Sequence, residues 1–410
     1  QKMNILVICQ YYYPEEFQIN DICEELVKQG HKVTVLTGLP NYPTGIIPKE
    51  YLNGNRRCEI VNGVEIIRCY EKPRKKGIMG LGFNYVSYCI SASLKALTLH
   101  GNYDVVFVYQ LSPVLIAIPG IIYKLKNNKK MYLYCCDLWP DSIKILGVKE
   151  ESIIYKIIDK VSKYIYRSAD IIGVQSGAFQ DYFKRVHFID KTRMVYIPQF
   201  ATDEYSSDYS NMLHEGFNFV FLGNVGLIQD LECVVKAVAS IKDQRIFKVH
   251  IVGDGSFLST LKKMVTDKGL DEYFVFYGRK PVKDMPIYYQ IADVCLLTLK
   301  GDSNVGMTIP SKLQGYMAAG KPVLAAINGS AKEIIKDSEC GISVEAGDYR
   351  ALAMAMVKMI DEKEKLVSYG KNGREYFLKN FTKERYINNT VNILDSLVEA
   401  HKICLQAKHY

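Results

Sequence analysis

Apolar positions in this chain change period in a regular way. Residues 4–9 form a short apolar run; Ile19, Ile22, Cys23, Leu26 and Val27 then recur at helical spacing up to Gly30, and Val33 and Val35 alternate beyond it. This spacing predicts a strand, a helix stopped by glycine and a second strand. The pattern continues with strands over 104–109, 131–136, 169–174 and 194–197, and with helices over 113–125, 152–167 and 176–184. Periodicity lapses over 198–209, where Thr, Asp and Ser gather as in a linker. It resumes near Gly216 with a strand over 217–222, and Gly223-Asn224-Val225-Gly226 turns into a helix near Leu231. Strand–helix alternation implies right-handed crossovers and parallel sheets, whose ligands bind beyond the carboxyl ends of the strands.

The stretch from Asp302 to Val323, DSNVGMTIPSKLQGYMAAGKPV, stands at such an end. A strand closes at Leu296-Leu297, residues 300–310 have loop composition, and a helix follows with Ser311 as its expected cap. Leu313, Met317 and Ala318 share a face of that helix, Gly320 stops it, and PVLAAI restarts a strand. Free backbone N–H groups at the helix start, beside Ser311 and Lys312, suit an anion such as a diphosphate. Any loop–helix unit of an α/β domain shares this general look. Gly253-Asp254-Gly255 is a lone G-x-G without the completion of a dinucleotide fingerprint.

Composition narrows the partners. A chain of 410 residues, 48% hydrophobic and 23% charged, is globular and long enough for two domains. A formal charge of +8 favours anionic partners: a nucleotide-sugar, a lipid diphosphate or a membrane surface. There is no dense Lys/Arg stripe with interleaved aromatics, which argues against nucleic acid. Eleven irregularly spaced cysteines without a C-x-x-C argue against a disulfide framework or a zinc site, and point to a reducing compartment. No leader pattern precedes the first strand, and the longest apolar runs fall short of the about 20 residues that span a bilayer. Lys72, Arg74, Lys75 and Lys76 precede Ile78, Met79, Leu81, Phe83, Tyr85, Val86 and Tyr88. Two readings fit: a peripheral dock on anionic lipid, or a solvated basic loop before a buried helix.

The motifs NILVICQYYYPEE, GHKVTVLTGLPNYPTG, CDLWPD, FLGNVGLIQDLECVVKA, IVGDGSFLSTL, YGRKPVKDMPIYYQIADVCLLTL and PSKL…YMAAGKPV occur in this order over nearly the whole chain. Together they resemble the retaining glycosyltransferases of family 4, most of all the bacterial subgroup that transfers N-acetylated (fucosamine-type) sugars in surface-polysaccharide synthesis. The resemblance implies the GT-B fold, an α/β architecture of two Rossmann-like domains facing across a cleft. It implies an acceptor domain over 1–200, a nucleotide-sugar domain over 210–382 and a helix over 383–410 returning to the first. It places Asp137, where many members carry histidine, near acceptor and sugar; an N-cap or turn role also fits Asp137. Lys312 is then the second catalytic group, opposite the leaving diphosphate. Gly223, Asn224, Gln229, Gly253, Arg279, Lys280, Asp302, Thr308, Pro310, Ser311 and Gln314 line the donor. Tyr13, Asn41, Tyr42, Lys72, Arg74, Lys75, Lys76 and Trp139 serve the acceptor or membrane side, with Trp139 equally suited to core packing.

Many relatives hold the diphosphate with Arg and Lys where this chain has Asn224 and Gln229, so Lys312 and Arg279 must supply the charge. The glutamates that the family places eight positions apart fall on Met307 and Gly315. Gln314 would replace one hydrogen bond but not the charge. No D-x-D occurs, and a fixed cation or helix N-terminus neutralises a leaving diphosphate without metal. The expectation is metal-free, cofactor-free transfer of a sugar from UDP to a lipid-linked or glycan acceptor by a cytoplasmic protein on the inner membrane face. The alternatives are a UDP-sugar 2-epimerase of the same fold and a catalytically silent binding partner.

Overall fold

The computed structural model describes residues 1–203, 216–301 and 307–407. Asp302 lies outside the described residues. The chain divides into two compact units: Gln1–Gln175 with Phe179–Ile197 and the chain from Ile387 on, and Ser176–Ala178 with Pro198–Tyr386.

Unit 1 is a doubly wound sheet. In chain order it contains β1 (Asn4–Ile8), α1 (Gln18–Lys28), β2 (Lys32–Thr37), β3 (Cys58–Val61), β4 (Val64–Arg68), α2 (Ile78–Thr98), β5 (Val105–Gln110), α3 (Ile118–Asn127), β6 (Lys130–Cys135), α4 (Ile153–Ser168), β7 (Ile171–Val174), α5 (Gly177–His187) and β8 (Met194–Tyr196). The strand order is β3-β4-β2-β1-β5-β6-β7-β8. Seven strands run parallel; β3 pairs antiparallel with β4. That β3–β4 hairpin, turning at Asn62-Gly63 with both residues at positive φ, is absent from the periodicity reading. Strands β1, β5 and β6 are buried on both faces, which is why they read as continuous apolar runs.

Unit 2 contains β9 (Phe217–Leu222), α6 (Leu231–Ile241), β10 (Phe247–Val252), α7 (Leu258–Asp267), β11 (Phe274–Gly278), α8 (Met285–Ile291), β12 (Val294–Thr298), α9 (Ser311–Ala318), β13 (Val323–Ala326), α10 (Ser330–Ser338), β14 (Gly341–Val344), α11 (Tyr349–Asp361) and α12 (Glu364–Asn380). Its six described strands are parallel, in the order β11-β10-β9-β12-β13-β14. One face packs Phe219, Val249 and Leu296 with α6 and α11 through Val235, Leu352 and Met356. The other packs Val220, Cys295 and Leu297 with α9 and α12 through Leu313, Tyr316 and Phe377. The last helix, α13 (Lys383–Ala407), begins in unit 2 and continues in unit 1, where Lys402 donates to Gln1 at 3.1 Å.

In each unit the first strand is flanked by strands reached in opposite directions, β1 between β2 and β5, β9 between β10 and β12. Beyond the carboxyl ends of such a pair the loops diverge and leave room for a ligand.

Candidate functional site

At the β9/β12 switch of unit 2, glycine brings backbone segments unusually close. Gly223 follows β9 with φ +129° and donates its N–H to Val252 O at 2.9 Å. A Cβ on Gly253 would stand 1.8 Å from Gly223 O, so only glycine fits there. The turn closes through Gln229, whose Oε1 accepts from Gly226 N at 3.0 Å and from Asn224 Nδ2 at 3.4 Å. A short 3-10 turn, Leu227–Gln229, precedes α6 and is fastened to the β12 end by Lys300 N donating to Ile228 O at 2.9 Å.

Helix α9 lies over this gap. Its N-cap is Pro310, not Ser311 as the sequence suggested, and no side chain caps it. Pro310, with φ −62° and ψ 133°, is already extended, so Ser311 falls on the first helical position and is exposed. Pro310 O accepts from Leu313 N at 3.0 Å, and the N–H groups of Ser311 and Lys312 precede the helix's own ladder. Tyr316 pins the helix: its hydroxyl donates to Leu296 O on β12 at 2.9 Å and accepts from Leu222 N on β9 at 3.3 Å. The apolar-face reading missed Tyr316; a buried tyrosine hydroxyl in need of a partner was the signal available.

Lys312 is the charge at this place. A Cβ on Gly223 would lie 2.5 Å from Lys312 Cε and 3.2 Å from Nζ, so the ammonium rests against the turn and against the Phe221 ring, 5.0 Å away. No hydrogen bond or ion pair joins it to another described residue. Burial lowers its pKa below the usual lysine value. A half-buried cation against a glycine turn, on the first turn of a helix, has the charge and geometry that suit an anion.

The other predicted donor residues scatter along the same carboxyl edge. Arg279 and Lys280 are exposed after β11, one strand removed from β9 and so about 10 Å away at ordinary sheet spacing. Thr308 lies on the approach to α9. Gln314 is buried, and its amide donates to Gln199 O at 2.6 Å, which turns it from the α9 start toward the chain entering unit 2. A Cβ on Gly315 would meet only the Tyr289 hydroxyl, at 3.2 Å.

In unit 1, Asp137 follows β6 and accepts from Ser112 Oγ at 2.6 Å; the Trp139 indole donates to the same Ser112 Oγ at 3.0 Å. Trp139 is buried, its core reading. Beneath it His187 Nε2 bonds Trp139 O at 2.8 Å, and Tyr166 accepts from Trp139 N and donates to Gln110 Oε1 at 3.0 Å. Burial drives the His187 pKa down to about 4 against the pull of the Trp139 carbonyl. Asn41 is buried and committed: its backbone donates to Glu15 Oε1 at 2.8 Å, its amide donates to Leu39 O and Glu71, and its carbonyl accepts from Arg74 N. Glu71, fully buried, also accepts from Gln10 Nε2 at 2.8 Å. Burial raises the pKa of both Glu71 and Glu15, and the Glu15 charge raises the Glu71 value further. None of Glu15, Glu71, Ser112 or His187 was singled out from the sequence, because lone polar residues in apolar runs carry no period.

Tyr13 and Tyr42 are exposed; the Tyr42 ring packs tilted against the stacked rings of Tyr11 and Phe17, under the Arg74 guanidinium. Lys72 lies 5.0 Å over the Phe83 ring, and Lys75 and Lys76 are exposed. Along α2, Met79, Phe83, Val86, Ile90, Leu94 and Leu97 recur every three or four residues, and all are exposed. Its opposite face, Asn84, Tyr88, Ala92 and Ala96, is fully buried, with Tyr88 donating to Cys9 O and Leu36 O at 3.1 Å, so the helix has one buried and one exposed apolar face. Among the described residues no helix is long and apolar enough to cross a membrane.

Residues 210–376 match the family "Glycosyl transferases group 1". The chain is 26% identical over 308 residues to the probable glycosyltransferase WbjE of Pseudomonas aeruginosa, covering 72% of this chain and 75% of that protein. It is 24% identical over 341 residues to the putative colanic acid biosynthesis glycosyl transferase WcaI of Escherichia coli K12, covering 78% and 82%. Its fold is that of the Anabaena protein HepE, solved with UDP, at a TM-score of 0.68 and 16% identity over 96% of this chain and all of the other.

Proposed function

From a chain that carries a group 1 glycosyltransferase segment across its second unit and the GT-B fold throughout, we propose a retaining hexosyltransferase of bacterial surface-polysaccharide synthesis. It moves a sugar, N-acetylated in our reading, from UDP to a lipid-linked or glycan acceptor at the inner face of the cytoplasmic membrane. The observation that carries the proposal is Lys312, a half-buried ammonium without a described acidic partner, held by Tyr316-anchored α9 against the Gly223 turn.

The diphosphate takes the place beside Lys312 and the N–H groups of Ser311 and Lys312. As the sugar–phosphate bond breaks, negative charge grows on the leaving oxygen, and a cation already in place stabilises that charge more than it stabilises the ground state. The acceptor hydroxyl attacks from the face the phosphate leaves and gives its proton to the phosphate, so configuration is kept. Burial that lowers the Lys312 pKa also makes its charge act through less water. Gly223 and Gly253 let backbone approach the phosphates, and Arg279 stands on the edge where a base or sugar would extend. Asp137, oriented by Ser112 at the carboxyl edge of unit 1, is our candidate for the acceptor side. WcaI, by its name a colanic acid enzyme, and HepE, solved with UDP, support the polysaccharide and uridine parts of the reading.

Incubation with UDP-N-acetylglucosamine, EDTA and a membrane-lipid extract, followed by NMR of the product, tests it. Transfer with the donor's anomeric configuration is expected. Release of a 2-epimer, or UDP binding without any turnover, would replace the proposal with the epimerase or the silent-partner reading; Met307 and Gly315 in place of acidic residues are what keep the latter alive.

A further inference from the structure

Every exposed position of α2 between Met79 and Leu97 carries a large apolar side chain: Met79, Phe83, Val86, Ile90, Leu94 and Leu97, from 45% to 74% exposed. A helix at home in water turns polar residues outward, and α2 turns none outward along this row. At about 100° per residue the six fall within an arc of about 80°. That is narrower than the stripe of about 100° or more that packs a helix on a globular core, and it matches the seam of a helix pair. Both flanks are small: Gly80, Ser87 and Ser91 on one side, Gly82, Cys89 and Ser93 on the other. Small flanks let a second helix come close. A surface that beds in an anionic bilayer carries lysine and arginine along its margins, and from Ile78 to Leu94 these margins carry none. The one charge on the helix, Lys95, is partly buried and lies off the row.

The row also matches itself under a two-fold axis. Its spacings are four, three, four, four and three residues. An antiparallel pair crossing near residue 88 therefore sets Val86 against Ile90, Phe83 against Leu94 and Met79 against Leu97 of the second copy. An isologous contact demands such self-complementarity; a bilayer or an unrelated partner does not. We infer that α2 is a dimer seam, through which two copies of this chain pair their α2 helices antiparallel. Charge fixes the direction. Parallel helices would set Lys72, Lys75 and Lys76 of one copy on those of the other, whereas antiparallel helices carry the two clusters to opposite ends, about 30 Å apart. The area suffices as well. The six side chains expose on the order of 600 Å² per copy, so a pair buries about 1,200 Å², where specific interfaces begin. Tyr70, whose carbonyl accepts from Ser91 Oγ, and Leu125 on α3 are exposed beside the row and extend the patch. The pairing stands apart from the transferase reading: none of the six is assigned to donor or acceptor.

Light scattering of the full chain, from submicromolar to tens of micromolar, tests the pairing. Wild type is expected at twice the mass of one chain. Val86→Ser/Ile90→Ser, at exposed positions, should raise the dissociation constant about a hundredfold and keep the far-UV circular dichroism of wild type. Phe83→Lys alone should also part the copies, and Phe83→Lys/Leu94→Glu should recover association at low salt. Positions 83 and 94 meet only between antiparallel copies, since about 16 Å separates them along one helix. A monomeric wild type would overturn the inference, as would a serine variant that dimerises as tightly as wild type, or a Phe83→Lys defect that Leu94→Glu does not relieve. Phosphatidylglycerol vesicles that bind a monomeric wild type and not the serine variant would give the face to lipid and overturn it too.

Discussion

The two units solve the same topological problem in opposite ways. At the carboxyl ends of β1 and β2, unit 1 gathers Gln10, Glu15, Asn41 and Glu71 and lets them bond one another, with Arg74 backbone joining through Asn41. At the end of β6 it ties Asp137 to Ser112 and Trp139. At the corresponding ends of β9 and β10, unit 2 has Gly223 and Gly253, and across from them a lysine with no described acidic partner. A sheet edge whose polar groups satisfy each other is a shaped wall; one with glycine backbone and a lone cation is a vacancy for an anion. The proposed function takes up this difference by giving the charged substrate to unit 2 and the acceptor to unit 1.

The contrast breaks most readily at Gly253. Alanine there drives Cβ into the Gly223 carbonyl and should cost about 3 to 5 kcal/mol in urea denaturation of unit 2, with UDP binding lost. A stable Gly253→Ala protein that binds UDP would mean the close approach is not needed. The counterpart in unit 1 is Glu71→Ala, which takes one of two acceptors from the amides of Gln10 and Asn41 and leaves a cavity, and should cost about 2 to 4 kcal/mol. Glu71→Gln should cost less, because it fills the same volume and its amide oxygen still accepts from one of the two amides. If the two variants are equally unstable, the network is not what closes this edge.

Acid titration sharpens the comparison further. The folded pKa of His187, about 4, lies below its unfolded value of about 6.5, so the unfolded chain binds more protons between them. The stabilising effect of keeping it neutral is complete above the unfolded value and is lost as pH falls toward about 4, about 3 kcal/mol in all. Thermal melts over that window should show His187→Gln with a flatter pH dependence than wild type; parallel curves would remove His187 from the support of the Asp137–Trp139 loop.

Periodicity alone was enough for most of the architecture. The strand ends at Leu222, Val252 and Cys135, and the start of α6 at Leu231, fall within a residue or two of where apolar runs and glycine turns put them. Buried parallel strands are continuous apolar runs, and that is a strong local signal. The β3–β4 hairpin escaped because Cys58–Val61 is an edge strand with mixed exposure. The turns of unit 2 were legible where glycine dictates backbone conformation, at Gly223 and Gly320, whereas the cap at Pro310 was read one residue late. Roles set by tertiary bonds were not: Gln314 and Asn41 look like ligand-binding amides in sequence and turn out to serve Gln199 and Glu71. Tyr316, which fixes α9 across two strands, looks like one more apolar residue.

The most direct test of an anion receptor at α9 is calorimetric titration of UDP, with EDTA present, into wild type and Lys312→Ala. The expected result is binding that survives chelation, weakens about tenfold (~1.4 kcal/mol) in the variant, and in wild type falls as alkaline pH removes the Lys312 proton earlier than from an ordinary lysine. Equal affinity in both proteins, or binding that requires a divalent metal, would contradict the assignment.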